Sequence, residues 1–361
     1  MRRVVFNGKF LAGGMNGVHR VAARLLREVD ALLVERPGDD DPACTLIVPR
    51  GCAGKIALNA VATLEDDRLA GQAWEQLRLP RLAAGAVLVN LANLAPIAHR
   101  PKLTMLHDAQ FCRADSSYPW RQRIGYRLLT PLMARSSARV LTVSGYSRDD
   151  LAARGIVGGS GAEVVHNGAD HIIEVTADEA VLGRLGLRPG GYALLFGSSK
   201  AYKNNRVVFD AFADGALAPL RLVVVGPDRA ALEKAGLAPP ADAAFAGGCD
   251  DAALRALYEG AHALLFPSRT EGFGLPPVEA MLCGCPAVVA PCGAMPEICG
   301  DAALPADPDD PVAWRARILA LYGSGLRAEM IAAGLVRAGR YTWAAAGRAL
   351  LGHMRDLARA A

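Results

Sequence analysis

The stretch Phe266-Pro-Ser-Arg-Thr-Glu271-Gly-Phe-Gly-Leu-Pro-Pro-Val-Glu279-Ala-Met281 sets two carboxylates eight residues apart, with glycines and paired prolines between them. Proline suits the first helical position because its fixed φ is already helical and its missing N–H would be unpaired there anyway. The pattern predicts a helix beginning near Pro276 or Pro277, entered through a tight turn. Gly272 and Gly274 remove side chains where the backbone must approach something closely, and the N–H groups of a helix start attract an anion. Glu279 is expected in the first turn, where the helix dipole tolerates a carboxylate and where it can accept hydrogen bonds from two vicinal hydroxyls. A ribose presents such a diol. Glu271 precedes the turn and can face the same ligand from the other side, so a molecule with a sugar at each end and phosphates between satisfies both. The plainer alternative is an ordinary strand, turn and helix with two solvated glutamates.

Around this segment, short runs rich in Val, Leu and Ile alternate with longer helical stretches. Val4 to Phe6, Thr45 to Val48, Val87 to Asn90, Leu103 to Leu106, Val140 to Val143 and Glu163 to Val165 read as buried parallel strands. A second series runs through Tyr192 to Phe196, Arg221 to Val225, Ala263 to Phe266 and Ala287 to Val289. Gly17 to Ala31 and Tyr118 to Arg135 read as helices. The class is therefore α/β, with two doubly wound sheets. The chain's 361 residues also exceed what one hydrophobic core usually serves. Arg188-Pro-Gly-Gly191 is the clearest break before a new strand, which gives an expected first domain over 1–180, a second over 181–343 and a terminal helix over 344–361.

Composition excludes several classes. A net charge of +4 is too small for wholesale nucleic-acid binding. The eight cysteines include no C-x-x-C pair and no zinc spacing, so neither a metal site nor a disulfide framework is expected. The apolar run after Met1-Arg-Arg stops at Asn7, short of a signal sequence, and Leu82 to Ala98 is interrupted by Asn90, Asn93 and Pro96. The expectation is a cytoplasmic protein, soluble or peripheral to a membrane.

Three further loops follow strands on the presumed ligand edge. Asn7-Gly-Lys-Phe-Leu-Ala-Gly13-Gly14-Met-Asn-Gly17 is a glycine-rich connection from the first strand to the first helix, a place where open α/β sheets bind ligands. It is not the G-x-G-x-x-G of dinucleotide enzymes, and no acidic residue closes a matching second strand, so nicotinamide chemistry is disfavoured. Leu103-Thr-Met-Leu-His107-Asp108 puts a polar pair directly after a strand, with Asp108 able to orient the imidazole or cap the next segment. Phe196-Gly-Ser198-Ser199-Lys200-Ala-Tyr-Lys203 supplies cations beyond a glycine turn, as a diphosphate requires, although a solvated loop lysine would look the same.

Taken in this order, from the first strand to Tyr341-Thr-Trp343, these motifs resemble retaining glycosyltransferase family 4. Val143-Ser144-Gly-Tyr-Ser147, Val165-His-Asn167-Gly168, Trp74-Glu-Gln-Leu and Gly293-Ala-Met-Pro-Glu297 add structural matches. The resemblance implies the GT-B fold, two Rossmann-like domains facing each other across a cleft, with the first binding acceptor, the second binding donor, and the terminal helix crossing back to the first. It implies transfer of a hexose, mannose among the candidates, from a GDP- or UDP-sugar to a glycan or lipid-linked acceptor in bacterial polysaccharide or lipopolysaccharide biosynthesis. Glu271 and His107 would contact the transferred sugar. Lys203, Lys200 and Ser198 would meet the diphosphate, the backbone of Phe273, Gly274 and Leu275 would lie close to sugar and phosphate, and Glu279 would hold the ribose. Gly14 and Gly17 would approach donor phosphate and acceptor. No metal or other cofactor is implied, since the nucleotide sugar is itself a substrate. The arginine often found near the lysine is absent here. Another GT-B enzyme, such as a sugar-nucleotide epimerase, and a non-catalytic nucleotide-sugar-binding protein remain open.

Residues 101–140 carry Lys102, Arg113, Arg121, Arg123, Arg127, Arg135 and Arg139 against Asp108 and Asp115, with Phe111, Tyr118, Trp120 and Tyr126 interleaved. That mixture over 111–127 suits the headgroup level of an anionic membrane at the inner face of the cytoplasmic membrane, or else a solvated helix face with ordinary core aromatics.

Overall fold

The computed structural model describes residues 2–14, 16–35, 38, 41–113, 120–158 and 161–360, apart from the side chains of Arg121, Gln122 and Ser324. Its contacts divide the chain into two compact units. One holds the chain up to Cys112, a stretch ending at Asn167, and the terminal helix from Trp343; the other holds Gly168–Thr342 together with Arg113. The division thus falls at Asn167, before the turn-rich break. The short helices His171–Glu174 and Ala180–Leu185 lie in the second unit, where they pack on Asp251–Gly260.

In the first unit, seven parallel strands, β1 (Val4–Asn7), β2 (Cys44–Pro49), β3 (Ala62–Asp66), β4 (Val87–Asn90), β5 (Lys102–Met105), β6 (Arg139–Thr142) and β7 (Glu163–Val164), lie in the order β3-β2-β1-β4-β5-β6-β7. The interior strands are buried on both faces, which is why β1 reads Val-Val-Phe without a polar alternation. Helices α1 (Gly17–Glu35), α2 (Trp120–Arg135) and α3 (Gly145–Ala153) belong to this unit. The terminal helix, Trp343–Ala360, packs along α1, and a Cβ at Gly347 would come within 2.6 Å of the Glu28 Cβ. Only glycine permits that approach.

In the second unit, β8 (Tyr192–Phe196), β9 (Arg221–Val225), β10 (Ala244–Gly247), β11 (Ala263–Phe266), β12 (Ala287–Val289) and β13 (Leu304–Pro305) form a parallel sheet in the order β10-β9-β8-β11-β12-β13. Alternate residues of β8 serve two cores. Ala193 and Leu195 join Leu222, Val224, Phe209 and Trp314 on one face, whereas Tyr192 and Leu194 join Val223, Leu257 and Tyr258 on the other. Helices α4 (Asp251–Gly260) and α5 (Leu275–Leu282) complete the elements that matter below. Both units therefore have the doubly wound α/β architecture that the alternation of runs implied.

Candidate functional site

Open parallel sheets bind ligands at the carboxyl ends of strands where the strand order reverses. In the second unit that point lies between β8 and β11. The loop after β8 and the loop after β11 are stitched together there, Arg269 N donating to the Tyr202 carbonyl at 2.8 Å. Lys203 Nζ donates to Glu271 Oε1 at 2.6 Å, with the lysine side chain 25% and the glutamate 14% exposed. The ammonium also lies 5.5 Å from the ring centroids of both Tyr202 and Phe266, a cation–π setting that fixes its position. Ser198 N donates to Asn205 Oδ1 at 2.6 Å, and Asn205 Nδ2 donates to the Phe196 carbonyl at 3.1 Å. Asn205, buried and not singled out in the sequence, thus pins the loop. Ser198 Oγ accepts from Lys200 N, while the Lys200 side chain stays exposed, 5.9 Å from the Tyr202 centroid. Arg269, whose backbone joins this loop, has its guanidinium bound to Asp309 and Pro308.

The turn into α5 is built by two obligatory glycines. Gly274 has φ +86, and a Cβ there would sit 2.2 Å from Met295 Cε. Gly293 has φ +62, and its Cβ would meet Glu271 N at 2.6 Å and Glu271 O at 3.0 Å. Phe273 is buried, its ring edge-on to Tyr341 with centroids 5.4 Å apart. The helix starts at Leu275, one residue earlier than expected, which puts Glu279 in the second turn and not the first. Pro276 and Pro277 carry no N–H, so in the first turn only Leu275 and Val278 have backbone donors, fewer than the expected anion-binding helix start supposes.

Glu279 is only 4% exposed. Tyr258 Oη donates to its Oε2 at 3.0 Å, and His171 Nε2 lies 3.2 Å from its Oε1. A carboxylate oxygen holds a further lone pair beyond one such bond, so the group is oriented without being used up. Neither Tyr258 nor His171 offers a signal in the sequence.

In the first unit the strand order reverses between β1 and β4, and a cavity of about 410 Å³ opens there. Lys9, Gly13, His19, Arg50 and Glu75 are among its lining residues. Lys9 Nζ donates to Glu75 Oε2 at 2.7 Å, and Asn7 Nδ2 bridges Glu75 Oε1 at 2.8 Å and Asn90 Oδ1 at 3.0 Å. Glu75 is buried in a single π-helical turn, Trp74–Arg78, a distortion that recurs at functional sites. The two switch points therefore carry the same pairing of lysine with glutamate. A Cβ at Gly14 or Gly17 would meet no atom within 4 Å, and neither residue has a positive φ, so both leave space without being demanded by the backbone. The glycine that packing requires in this loop is Gly8, whose Cβ would lie 2.5 Å from Val48 Cγ1.

His107 follows β5 and is buried. Its Nε2 is 2.9 Å from the Leu91 carbonyl, its N–H donates to Asn93 Oδ1 at 2.7 Å, and its carbonyl accepts from Ser147 Oγ at 2.9 Å. Ser144 caps α3, whereas Ser147 ties that helix to His107. Asp108 accepts from Gln110 N, so it caps the next turn. Burial lowers the His107 pKa to about 4, which leaves the ring neutral, Nε2–H donating to Leu91 and Nδ1 bearing a lone pair. The unfolded imidazole, with a pKa of about 6.5, binds the extra proton between those values. Stability should therefore rise with pH across that window, and on the order of 3 kcal/mol is lost as pH falls from about 6.5 to 4. Denaturation midpoints should fall more steeply for the wild type than for His107→Asn as pH is lowered from 7 to 4; parallel curves would refute a buried neutral ring.

Of the basic and aromatic stretch, Phe111 and Tyr126 pack together with ring centroids 5.5 Å apart, and Trp120 points outward at 66% exposure. Tyr118, Asp115 and the Arg121 side chain lie outside the described residues. All eight cysteines are free thiols. Among the described residues no three metal-ligating side chains come together, and no single helix is long and apolar enough to cross a membrane.

The sequence profile of the family described as Glycosyl transferases group 1 matches residues 191–324, the region holding Lys203, Glu271 and Glu279. O-antigen chain mannosyltransferase B of Escherichia coli is 28% identical over 270 residues, which cover 67% of this chain and 66% of that protein, just under two-thirds of its length. Among solved structures, sucrose-phosphate synthase from Thermosynechococcus elongatus superposes with a TM-score of 0.74 and 15% identity over 100% of both chains. Alr3699/HepE of Anabaena, in complex with UDP-glucose, gives 0.70 and 17% identity over 99% of this chain and 100% of that one. At these identities the likeness is one of fold, and the fold is GT-B.

Proposed function

We propose, for a chain whose residues 191–324 match the group 1 glycosyl transferases, a retaining transfer of a hexose from a nucleotide diphosphate sugar to a hydroxyl of a glycan or lipid-linked acceptor. The observation that carries this reading is the Lys203–Glu271 pair at the second unit's switch point, in the same unit as the buried Glu279. The ribose hydroxyls donate to the lone pairs of Glu279 that Tyr258 and His171 leave open. Lys203 turns from Glu271 to the diphosphate, with Lys200, Ser198 and the N–H of Leu275 in support, so charge on the leaving group is balanced by fixed donors without a metal or other cofactor. Glu271, released by the lysine, accepts from hydroxyls of the hexose, and the backbone of Phe273 and Gly274 shapes the floor beneath it. The bond from the anomeric carbon to the phosphate oxygen breaks while the acceptor oxygen bonds on the same face, and the departing phosphate takes the acceptor proton. Glu271 is not a covalent nucleophile in this scheme.

The first unit takes the acceptor. Its cavity offers the Lys9–Glu75 pair, Asn7 and the space left by Gly14 and Gly17. The uncharged His107 ring supplies a hydrogen-bond acceptor for a sugar hydroxyl. A GDP- or UDP-linked hexose, with mannose among the candidates, fits the O-antigen relative, and the setting we propose is the cytoplasmic face of a membrane on which a polysaccharide or lipopolysaccharide is assembled.

A thermal-shift panel of UDP, GDP, dTDP and their sugars tests the donor site. A nucleotide about 100-fold above its dissociation constant should stabilise the protein by about 2.7 kcal/mol. Glu279→Ala should weaken that nucleotide's affinity by roughly 10- to 100-fold, the loss of charge-assisted bonds to the diol. An unchanged response would remove the ribose role.

A further inference from the structure

The outer side of α2 carries an apolar stripe. Trp120, Ile124, Leu128 and Leu132 recur every fourth residue at 66, 50, 65 and 48% exposure, while Thr130, Met133 and Ala134 hold the helix to the unit from its inner side. Single exposed apolar residues are ordinary, but a continuous row on one helix is a patch that invites an apolar partner. At about 100° per residue, Arg135 falls about 60° round from Trp120, between Ile124 and Leu128 in projection, and Arg127 lies about 20° outside the row. Arg135 also lines a cavity of about 530 Å³ with Arg2, Arg100, Ser136 and Ser137, and no acidic side chain is among its lining residues. Buried Lys102 lies alongside, its Nζ donating to Ser136 Oγ at 2.6 Å. Cations and hydroxyls in a recess make a receptor for phosphate, and it opens where the apolar row ends.

We infer that α2 and the cavity at its carboxyl end are a docking surface for an anionic lipid bilayer, the apolar row entering the acyl boundary while Arg100 and Arg135 meet headgroup phosphates. A helix of 16 residues, roughly 24 Å long, lies in the interface plane and does not span it. The arginines favour a bilayer over a second copy of the chain, because a two-fold pairing of this face would bring the Arg135 side chains towards each other. The inference rests on the membrane setting proposed above, and it specifies which surface touches which lipid.

Cosedimentation with vesicles of phosphatidylcholine, alone or mixed with phosphatidylglycerol, tests it without any turnover. Binding to the anionic vesicles should be at least about tenfold tighter and should weaken as salt rises. Leu128→Glu/Leu132→Glu should lower anionic binding by tenfold or more, whereas Arg100→Gln/Arg135→Gln should abolish the preference for phosphatidylglycerol. Quenching of tryptophan emission by brominated lipid should be present in the wild type and largely lost in Trp120→Phe, which needs no charge change to remain folded. Equal binding to both vesicle types, no binding, or a self-association that Leu128→Glu abolishes would overturn the inference. The nucleotide thermal shift, measured on each variant, stands apart: its loss would count against the donor site and not against this surface.

Discussion

Lys203→Ala should lower kcat/KM for transfer by roughly two to three orders of magnitude, the cost of removing one preorganised donor from a developing charge. The lysine ammonium lies 5.5 Å from two aromatic ring centroids and 2.6 Å from Glu271, so the cation is held at the site before any ligand arrives and has only to turn from the glutamate to the diphosphate. Its deletion acts twice. The diphosphate loses its fixed counter-charge, and the largely buried Glu271 carboxylate loses its partner and turns towards other donors. Lys203→Arg should recover only part of the activity, because a planar guanidinium cannot take the point-like position between the rings of Tyr202 and Phe266. Steady-state kinetics with donor affinity from calorimetry will separate the two effects. Near wild-type transfer by the alanine variant would mean that the leaving group is stabilised elsewhere.

Gly293→Ala should cost roughly 100-fold in transfer together with about 1–3 kcal/mol of stability. The new methyl would press on the backbone of Glu271 and Thr270, atoms that cannot rotate away as a flexible side chain would. Ala294 N also donates to the Glu271 carbonyl at 3.1 Å, so a shift of this turn is passed directly to the glutamate. Gly284→Ala is the matched control. It too imposes a side chain at a positive φ, +68, but its Cβ would find only Ile331 Cγ2 at 3.9 Å. Gly284→Ala should lower the thermal midpoint and leave transfer nearly intact. Equal losses of transfer in the two variants would show that strain, and not displacement of Glu271, governs the effect.

Nine of the ten strands legible in the sequence are interior, and they were legible because both faces of a parallel strand are buried, so each reads as a largely apolar run, whereas the tenth, β7, is a two-residue edge strand. The three that were not legible, β3, β10 and β13, are edge strands, and in β3 four of the five residues are exposed. Glu271, Glu279, Lys203 and His107 could each be picked out as polar groups just beyond a strand. Their pairing could not. Lys203 and Glu271 stand 68 positions apart and meet only because β11 lies beside β8. Glu75 was hidden for the same reason, since a glutamate in a helical stretch looks solvated until β1 and β4 are seen as neighbours and Lys9 and Asn7 close on it. The α5 boundary was misplaced by one residue because Gly274 in the left-handed region, not proline, sets the cap. That single step moved Glu279 out of the first turn.

The terminal helix has a consequence for biogenesis. Trp343 is fully buried and Gly347 lies against α1, so the amino-terminal unit is completed by residues made only after Gly168–Thr342. Gly168–Thr342 carries the whole six-stranded sheet of the second unit in one stretch and can mature on the ribosome as soon as it emerges. The usual order of vectorial folding is reversed here. The unit synthesised first must wait, with the side of α1 that Gly347 later covers still open to water or to a chaperone, until the helix from Trp343 has been made.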